Sequence, residues 1–109
     1  MASVSVSDYK ELYNKTARAY IEAMETNIDI VTTDLNNAEA VEVIYRSAHS
    51  LKGQSSLMGY KDVAALSEFV EKTMRKIKEQ HISLDTALLA EIKHAVANIK
   101  AAVTKEMTM

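Results

Sequence analysis

The chain has 109 residues, a length that suits one domain with a single hydrophobic core. Hydrophobic residues make up 48% of it and charged residues 26%, which is the composition of a folded globular protein and excludes a disordered tail. The net charge of −2 argues against a nucleic-acid partner, and the absence of cysteine excludes disulfides, thiolate zinc sites and cysteine nucleophiles.

Turn-forming residues are scarce, since the chain has no proline and only two glycines, Gly53 and Gly59. Sheets need many turn residues, so long helices joined by short loops are expected. Apolar residues recur every three or four positions in four segments. The sequence therefore predicts an all-α fold over 1–109, a single antiparallel up-down four-helix bundle with helices at about 8–32, 38–58, 61–80 and 84–106.

The first helix is predicted to start at Ser7 or Asp8, because Asp8 and Glu11 have the spacing of a capping box. Its buried face is predicted from residues at helical spacing: Tyr9, Tyr13, Thr16, Tyr20, Ala23, Asn27 and Val31. Met24 and Ile28 flank that face.

The second helix is predicted to begin after Asn36 or Asn37, either of which is a favourable cap. Its buried residues form a nearly heptad row: Val41, Ile44, Ala48, Leu51, Ser55 and Met58. Gly59 follows that row and is expected to adopt the left-handed conformation that ends a helix.

The third helix is predicted to start near Tyr60 and to bury one apolar row: Val63, Leu66, Val70, Met74 and Ile77. Ser83 is the predicted cap of the fourth helix. The buried row of that helix is expected to contain Leu88, Ile92, Ala95, Ile99 and Ala102, supported by Leu89, Val96 and Val103.

The chemically informative segment lies in the middle of the second helix, where Gly53 follows His49 by one turn. An interior helix glycine costs about 1 kcal/mol relative to alanine, which suggests that another group approaches closely there. Lys52 shares the same face. A neutral imidazole is a nucleophile near neutral pH, and the lysine could offset the charge of a phosphoryl group.

The segment from Ala48 to Gly53, continuing to Gly59 and Tyr60, resembles the motif of histidine-containing phosphotransfer (HPt) domains. The likeness covers about residues 10–105. It implies a phosphocarrier of two-component relays that takes a phosphoryl group from a histidine kinase or a receiver aspartate and passes it to the receiver aspartate of a response regulator. In that family the carrier has no catalytic machinery or cofactor of its own, and the receiver supplies the magnesium.

The resemblance also assigns roles. It implies that His49 is the phosphoacceptor, Lys52 its charge partner and Gly53 the opening at which a receiver docks. The sequence is most similar to the phosphotransfer domain of chemotaxis-type histidine kinases, in which a third-helix glutamate hydrogen-bonds the reactive imidazole. Glu71 stands at the matching position, whereas Glu68 replaces a histidine common in that subtype, so its role stays open.

Glu71 lies one residue off the apolar row of the third helix, at the rim of its interface with the second helix. A carboxylate there that accepts the Nδ1 proton of His49 would leave Nε2 as the nucleophile. The alternative is a solvated glutamate paired with Arg75 one turn further on.

A small and mildly basic docking surface is expected around His49, because receivers present an acidic pocket. Its predicted members, besides Lys52, are Arg46, Ser50, Gly53 and Ser56.

Two other classes of function also occur on helical bundles. A structural or adaptor bundle would dock a partner through the His49 face without chemistry, and a buried His49 would favour it. A metal-dependent bundle enzyme needs Glu-x-x-His pairs on facing helices, and only Glu91 and His94 have that spacing, on a face predicted to point outward. His81 and His94 lie on different elements, so no metal site is expected.

No stretch reaches the roughly 18 to 20 apolar residues of a membrane span, and no basic and then apolar leader opens the chain. A cytoplasmic location without membrane association is therefore expected. The sequence does not identify the cognate kinase and receiver, the stimulus or the oligomeric state. A stand-alone carrier and a piece of a larger kinase are both compatible with it.

Overall fold

The structure is a computed structural model that describes residues 5–108. Within this range the chain forms four α-helices: α1 (Val6–Thr33), α2 (Ala38–Leu57), α3 (Lys61–Lys78) and α4 (Thr86–Thr108). Each helix packs against the helix that follows it, and α1 also packs against α4. This closed ring of neighbours is the antiparallel up-down four-helix bundle that the sequence predicts, with overall dimensions of 50 × 25 × 20 Å. No helix within residues 5–108 is long and apolar enough to cross a bilayer.

The core is built from apolar rows on all four helices, and most of the predicted rows are confirmed. On α2 every predicted residue is buried except the half-buried Met58, and on α4 the buried residues are Leu89, Ile92, Ala95, Val96, Ile99 and Val103. On α3 the predicted Leu66 and Ile77 are half-buried. A buried hydrogen bond of 2.8 Å joins the hydroxyls of Tyr13 and Ser55 and fixes the register of α1 against α2.

The predicted buried face of α1 is wrong by a partial rotation of the helix. The residues that pack into the core are Tyr13, Ala17, Ile21, Met24, Ile28 and Val31. Tyr9 is instead 54% exposed. Tyr13 and Val31 lie on the predicted face, but between them each buried residue is one position beyond the predicted one, since the predicted Thr16, Tyr20 and Asn27 carry polar groups and stay half-buried.

The capping residues of α1 and α4 also differ from the prediction. Ser5 caps α1, and Asp8 is the third helical residue of a capping box in which the Asp8 side chain accepts from the Ser5 amide. At α4 the side chain of Asp85, not Ser83, accepts from the amide of Leu88 at 2.8 Å. α4 accordingly begins at Thr86, directly after this cap.

The glycine and glutamine that follow α2 and α3 close these helices in the same way. Gly59 has a φ of +77°, and the amide of Tyr60 donates to the carbonyl of Ser55, as the predicted helix ending requires. Gln80 has a φ of 61°, and the amide of His81 donates to the carbonyl of Lys76. Gln80 therefore holds a left-handed position that usually favours glycine.

Candidate functional site around His49

His49 lies in the middle of α2, on the side of that helix that meets α3. The Ala48 next to it is fully buried and anchors the helix in the core, whereas the His49 side chain is 61% exposed. The adaptor alternative would be favoured by a buried histidine. An exposed imidazole at the middle of the bundle is the arrangement that the carrier interpretation requires.

Glu71 on α3 is the partner of His49. Its carboxylate is only 1% exposed, and Oε2 lies 3.0 Å from Nδ1 of His49. The carboxylate is also held by Lys52, whose Nζ lies 2.5 Å from Oε1, and by Arg75, whose Nη2 donates to Oε2 at 2.9 Å. The alternative of a solvated glutamate is therefore wrong, because the carboxylate is buried. The pairing with Arg75 that it also predicted is present.

The electrostatics of this cluster determine which ring nitrogen carries the proton. Burial raises the pKa of Glu71, but the hydrogen bonds and charges of Lys52 and His49 outweigh burial and hold that pKa below its ordinary value. An ionised carboxylate can only accept hydrogen bonds, so Nδ1 of His49 is the donor. In the neutral ring the free lone pair is then on Nε2, on the opposite edge of the imidazole.

Gly53 lies one turn beyond His49, and its surroundings are open. A Cβ atom built on Gly53 would meet no atom within 4 Å, so the packing of the helices does not require glycine there. Gly53 therefore does not serve a close crossing of two helices. The open surface beside His49 is available to a group from outside the domain.

The other predicted docking residues surround this opening. Arg46 and Ser56 are exposed, and Ser50 is half-buried. Arg46 pairs with Glu42, which also binds Lys78. The structure thus brings the predicted surface together on one side of α2.

One aromatic neighbour of His49, the Tyr45 ring with two cations beside it, was not predicted. The Tyr45 ring stacks on the imidazole with ring centroids 6.3 Å apart and planes inclined by 19°. Nζ of Lys78 lies 4.0 Å from the centroid of the Tyr45 ring, and Cζ of Arg75 lies 5.8 Å from it. Tyr45 precedes His49 by one helical turn, which is the pattern that could have indicated the contact.

The remaining candidates lie apart from this cluster. Glu68 is half exposed, and its carboxylate lies 3.6 Å from Nζ of Lys72. Glu91 and His94 are both exposed on α4, as predicted, and α4 packs on α1 and α3 rather than on α2. His81 lies 3.5 Å from Glu79 in the loop after α3. Within the described residues, no group of three or more potential metal ligands is brought together.

The fold alone does not decide the function. A computationally redesigned four-helix bundle, with 19% sequence identity, superposes with a TM-score of 0.85 and covers 90% of this chain and 96% of that chain. The CheA phosphotransferase domain from Thermotoga maritima superposes with a TM-score of 0.89 at 22% identity, covering 95% of this chain and 99% of that one. A phosphotransferase domain and a redesigned bundle therefore share this architecture.

A family model does decide it, because the model of the Hpt domain matches residues 8–102. The chain belongs to the Hpt domain family. As an Hpt domain, it is a phosphohistidine carrier of the phosphorelay type, which confirms the interpretation of the sequence.

Curated relatives of this Hpt domain are chemotaxis proteins CheA. That of Halobacterium salinarum is 24% identical over 96 residues, covering 88% of this chain, and that of Listeria monocytogenes is 28% identical over 79 residues, covering 72%. The CheA of Treponema pallidum is 27% identical and covers 88% of this chain. The Hpt domain spans only 13–14% of the length of these three relatives.

Proposed function

We propose that His49 is the phosphoacceptor of this Hpt domain and that Nε2 is the atom that carries the phosphoryl group. The observation that supports this most strongly is the contact of 3.0 Å between Nδ1 of His49 and the buried, ionised Glu71. The contact engages one ring nitrogen inside the domain and leaves the other on an exposed edge. Of the three histidines, only His49 has a buried carboxylate partner within the described residues.

The transfer forms one bond and breaks one bond. The lone pair of Nε2 attacks phosphorus, and the bond between phosphorus and the leaving oxygen of the donor breaks with its electron pair on that oxygen. The ring becomes cationic as the new N–P bond forms, and the negative charge of Glu71 stabilises it through Nδ1–H. Lys52, held against the same carboxylate, adds positive charge next to the incoming phosphoryl group.

The partners follow from this chemistry. The relatives' name supports a histidine kinase of the chemotaxis type as donor and the receiver domain of a response regulator as acceptor. We assign no catalytic site and no cofactor to the domain itself, and we place the magnesium on the receiver. The docking surface is formed by Arg46, Ser50, Gly53 and Ser56 around the exposed imidazole.

The test is phosphorylation by a small donor that needs no partner protein. Incubation with phosphoramidate should give one phosphohistidine, detected by ³¹P NMR and lost on acidification, with ammonia as the leaving group. His49→Gln should abolish the label while the circular dichroism spectrum stays helical. His81→Gln and His94→Gln are matched controls that should label normally, and a label that persists in His49→Gln would assign the site elsewhere.

A further inference from the structure

Arg75 contacts both groups that flank the His49 imidazole. Its Nη2 donates to Oε2 of Glu71, the same oxygen that lies against Nδ1 of His49. Its guanidinium carbon lies 5.8 Å from the centroid of the Tyr45 ring, which stacks on the imidazole. Arg75 is one turn beyond Glu71 on α3, and its side chain is 46% exposed.

We propose that Arg75 is a positioning residue for His49 and that it acts through Glu71; this inference rests on the proposed function. Oε1 of the carboxylate is held by Lys52, and Oε2 is held by Arg75. With both oxygens fixed by cations, the plane of the carboxylate is set. Oε2 then presents its remaining lone pair to Nδ1 of His49 in one direction.

The charge of Arg75 matters as well as its geometry. A guanidinium stays protonated throughout the range in which proteins are stable, so its field on Oε2 does not vary with pH. A permanent cation beside Oε2 favours the ionised form of Glu71, and an ionised carboxylate can only accept the hydrogen bond from Nδ1. Arg75 therefore keeps the proton on the imidazole and the lone pair on Nε2.

Tyr45 flanks the imidazole from a second side. The Tyr45 ring lies nearly parallel to the imidazole with centroids 6.3 Å apart, and Lys78 lies over the same Tyr45 ring with Nζ 4.0 Å from the centroid. A cation near an aromatic face is attracted to it. Lys78 lies closer to this ring than Arg75 does, so Tyr45 keeps a cation on its face when Arg75 is replaced.

The experiment measures the His49 tautomer directly by ¹⁵N NMR of the ring nitrogens. In the wild-type protein Nδ1 should be the protonated nitrogen of the neutral ring. Arg75→Gln should lower the Nδ1–H fraction and slow the phosphoramidate reaction at Nε2 roughly three- to tenfold, the size expected from losing one partly exposed, charge-assisted hydrogen bond. Lys76→Gln makes the same change of charge at the next position of α3 and should behave as the wild type.

A double variant tests whether the effect passes through Glu71. In a Glu71→Gln background, adding Arg75→Gln should change neither the tautomer nor the rate further. An additional loss there, or a wild-type tautomer and rate in the single Arg75→Gln variant, would overturn the proposal. Failure of the wild-type protein to label on His49 would instead overturn the proposed function, and the ¹⁵N measurement tests Arg75 in either case.

Discussion

Nδ1 of His49 and Oε2 of Glu71 lie 3.0 Å apart although 22 residues separate them in the chain. The contact exists because α2 and α3 pack side by side, and Gly59 makes the tight turn between them. Ala48 and Val70, the neighbours of these two residues, are both fully buried and fix the two helices in the core. The His49 imidazole is therefore oriented by the packing of the bundle rather than by a loop.

The role of Glu71 can be measured against Glu68, which lies on the same helix. Glu71→Gln should lower the Nδ1–H fraction of His49 and slow phosphorylation by phosphoramidate about tenfold, a change of about 1.4 kcal/mol in the barrier. Glu68→Gln removes an exposed carboxylate that pairs with Lys72 and should leave both quantities unchanged. ¹⁵N spectra and initial rates check this, and equal behaviour of the two variants would contradict the assignment.

The lowered pKa of Glu71 predicts how stability depends on pH. Its ordinary value is 4.5, and a group whose pKa is lower in the folded state stabilises the fold above that value and loses the contribution as pH falls through the folded pKa. The free energy of unfolding of the wild type should therefore fall relative to that of Glu71→Gln as the pH is lowered from about 5 to about 3.

Urea unfolding at a series of pH values measures this difference. The pKa of Glu42 is also lowered, by its hydrogen bond to Lys78, but Glu42 titrates in both proteins and cancels in the comparison. A difference that stays constant over the acidic range would show that Glu71 titrates alike in the folded and unfolded chains.

Gly53 separates reaction with a small donor from transfer between proteins. Gly53→Leu should leave phosphoramidate labelling intact, because a Cβ atom at this position meets no other atom, but it should block transfer to a receiver by occupying the proposed docking surface. Ala97→Leu adds the same side chain to the exposed face of α4 and should permit both reactions. Unchanged transfer in Gly53→Leu would place the docking surface elsewhere.

The same glycine has a measurable cost to stability. Gly53→Ala should stabilise the domain by about 1 kcal/mol, because glycine is unfavourable inside a helix and the new methyl group meets no atom. Thermal unfolding should then shift upward by roughly 4–8 °C. A lower melting temperature would mean that Gly53 serves the fold rather than a partner.

Gln80 offers a gain in stability away from the site. It is held at a φ of 61°, which is unfavourable for a residue with a Cβ atom, so Gln80→Gly should stabilise the domain by about 1 kcal/mol. Glu79→Gly, at the neighbouring position with a negative φ of −84°, should not. Thermal melts of the two variants check this, and equal melting temperatures would contradict it.

The sequence predicted α2 and its motif well because several independent patterns coincide there. The apolar row, the cap at Asn37 and the glycine at 59 all set the same boundaries, and His49 then falls on the rim of the core. Glu71 was predicted to contact His49 because it lies one residue from the apolar row of α3 and because the family resemblance places a glutamate at this position. Its depth of burial could not be foreseen, because a single sequence does not show that Lys52 and Arg75 cover the carboxylate.

The start of α1 was predicted wrongly because several neighbouring residues favour a helix cap. Ser5, Ser7 and Asp8 are all residues that cap helices, so their types alone cannot decide where α1 begins.

The contact between Tyr45 and His49 was not predicted, because it depends on which side of α2 packs against α3. That choice is made by packing of whole helices and not by a local pattern.

The exposure of His49 has a consequence for how long a phosphoryl group can be stored. The side chain is 61% exposed and the surface at Gly53 is open, so the phosphoryl group proposed for Nε2 would be in contact with bulk water. In that position hydrolysis of the N–P bond would compete with transfer to an acceptor. The proposed carrier would then keep its phosphoryl group for transfer only where transfer to an acceptor is faster than hydrolysis.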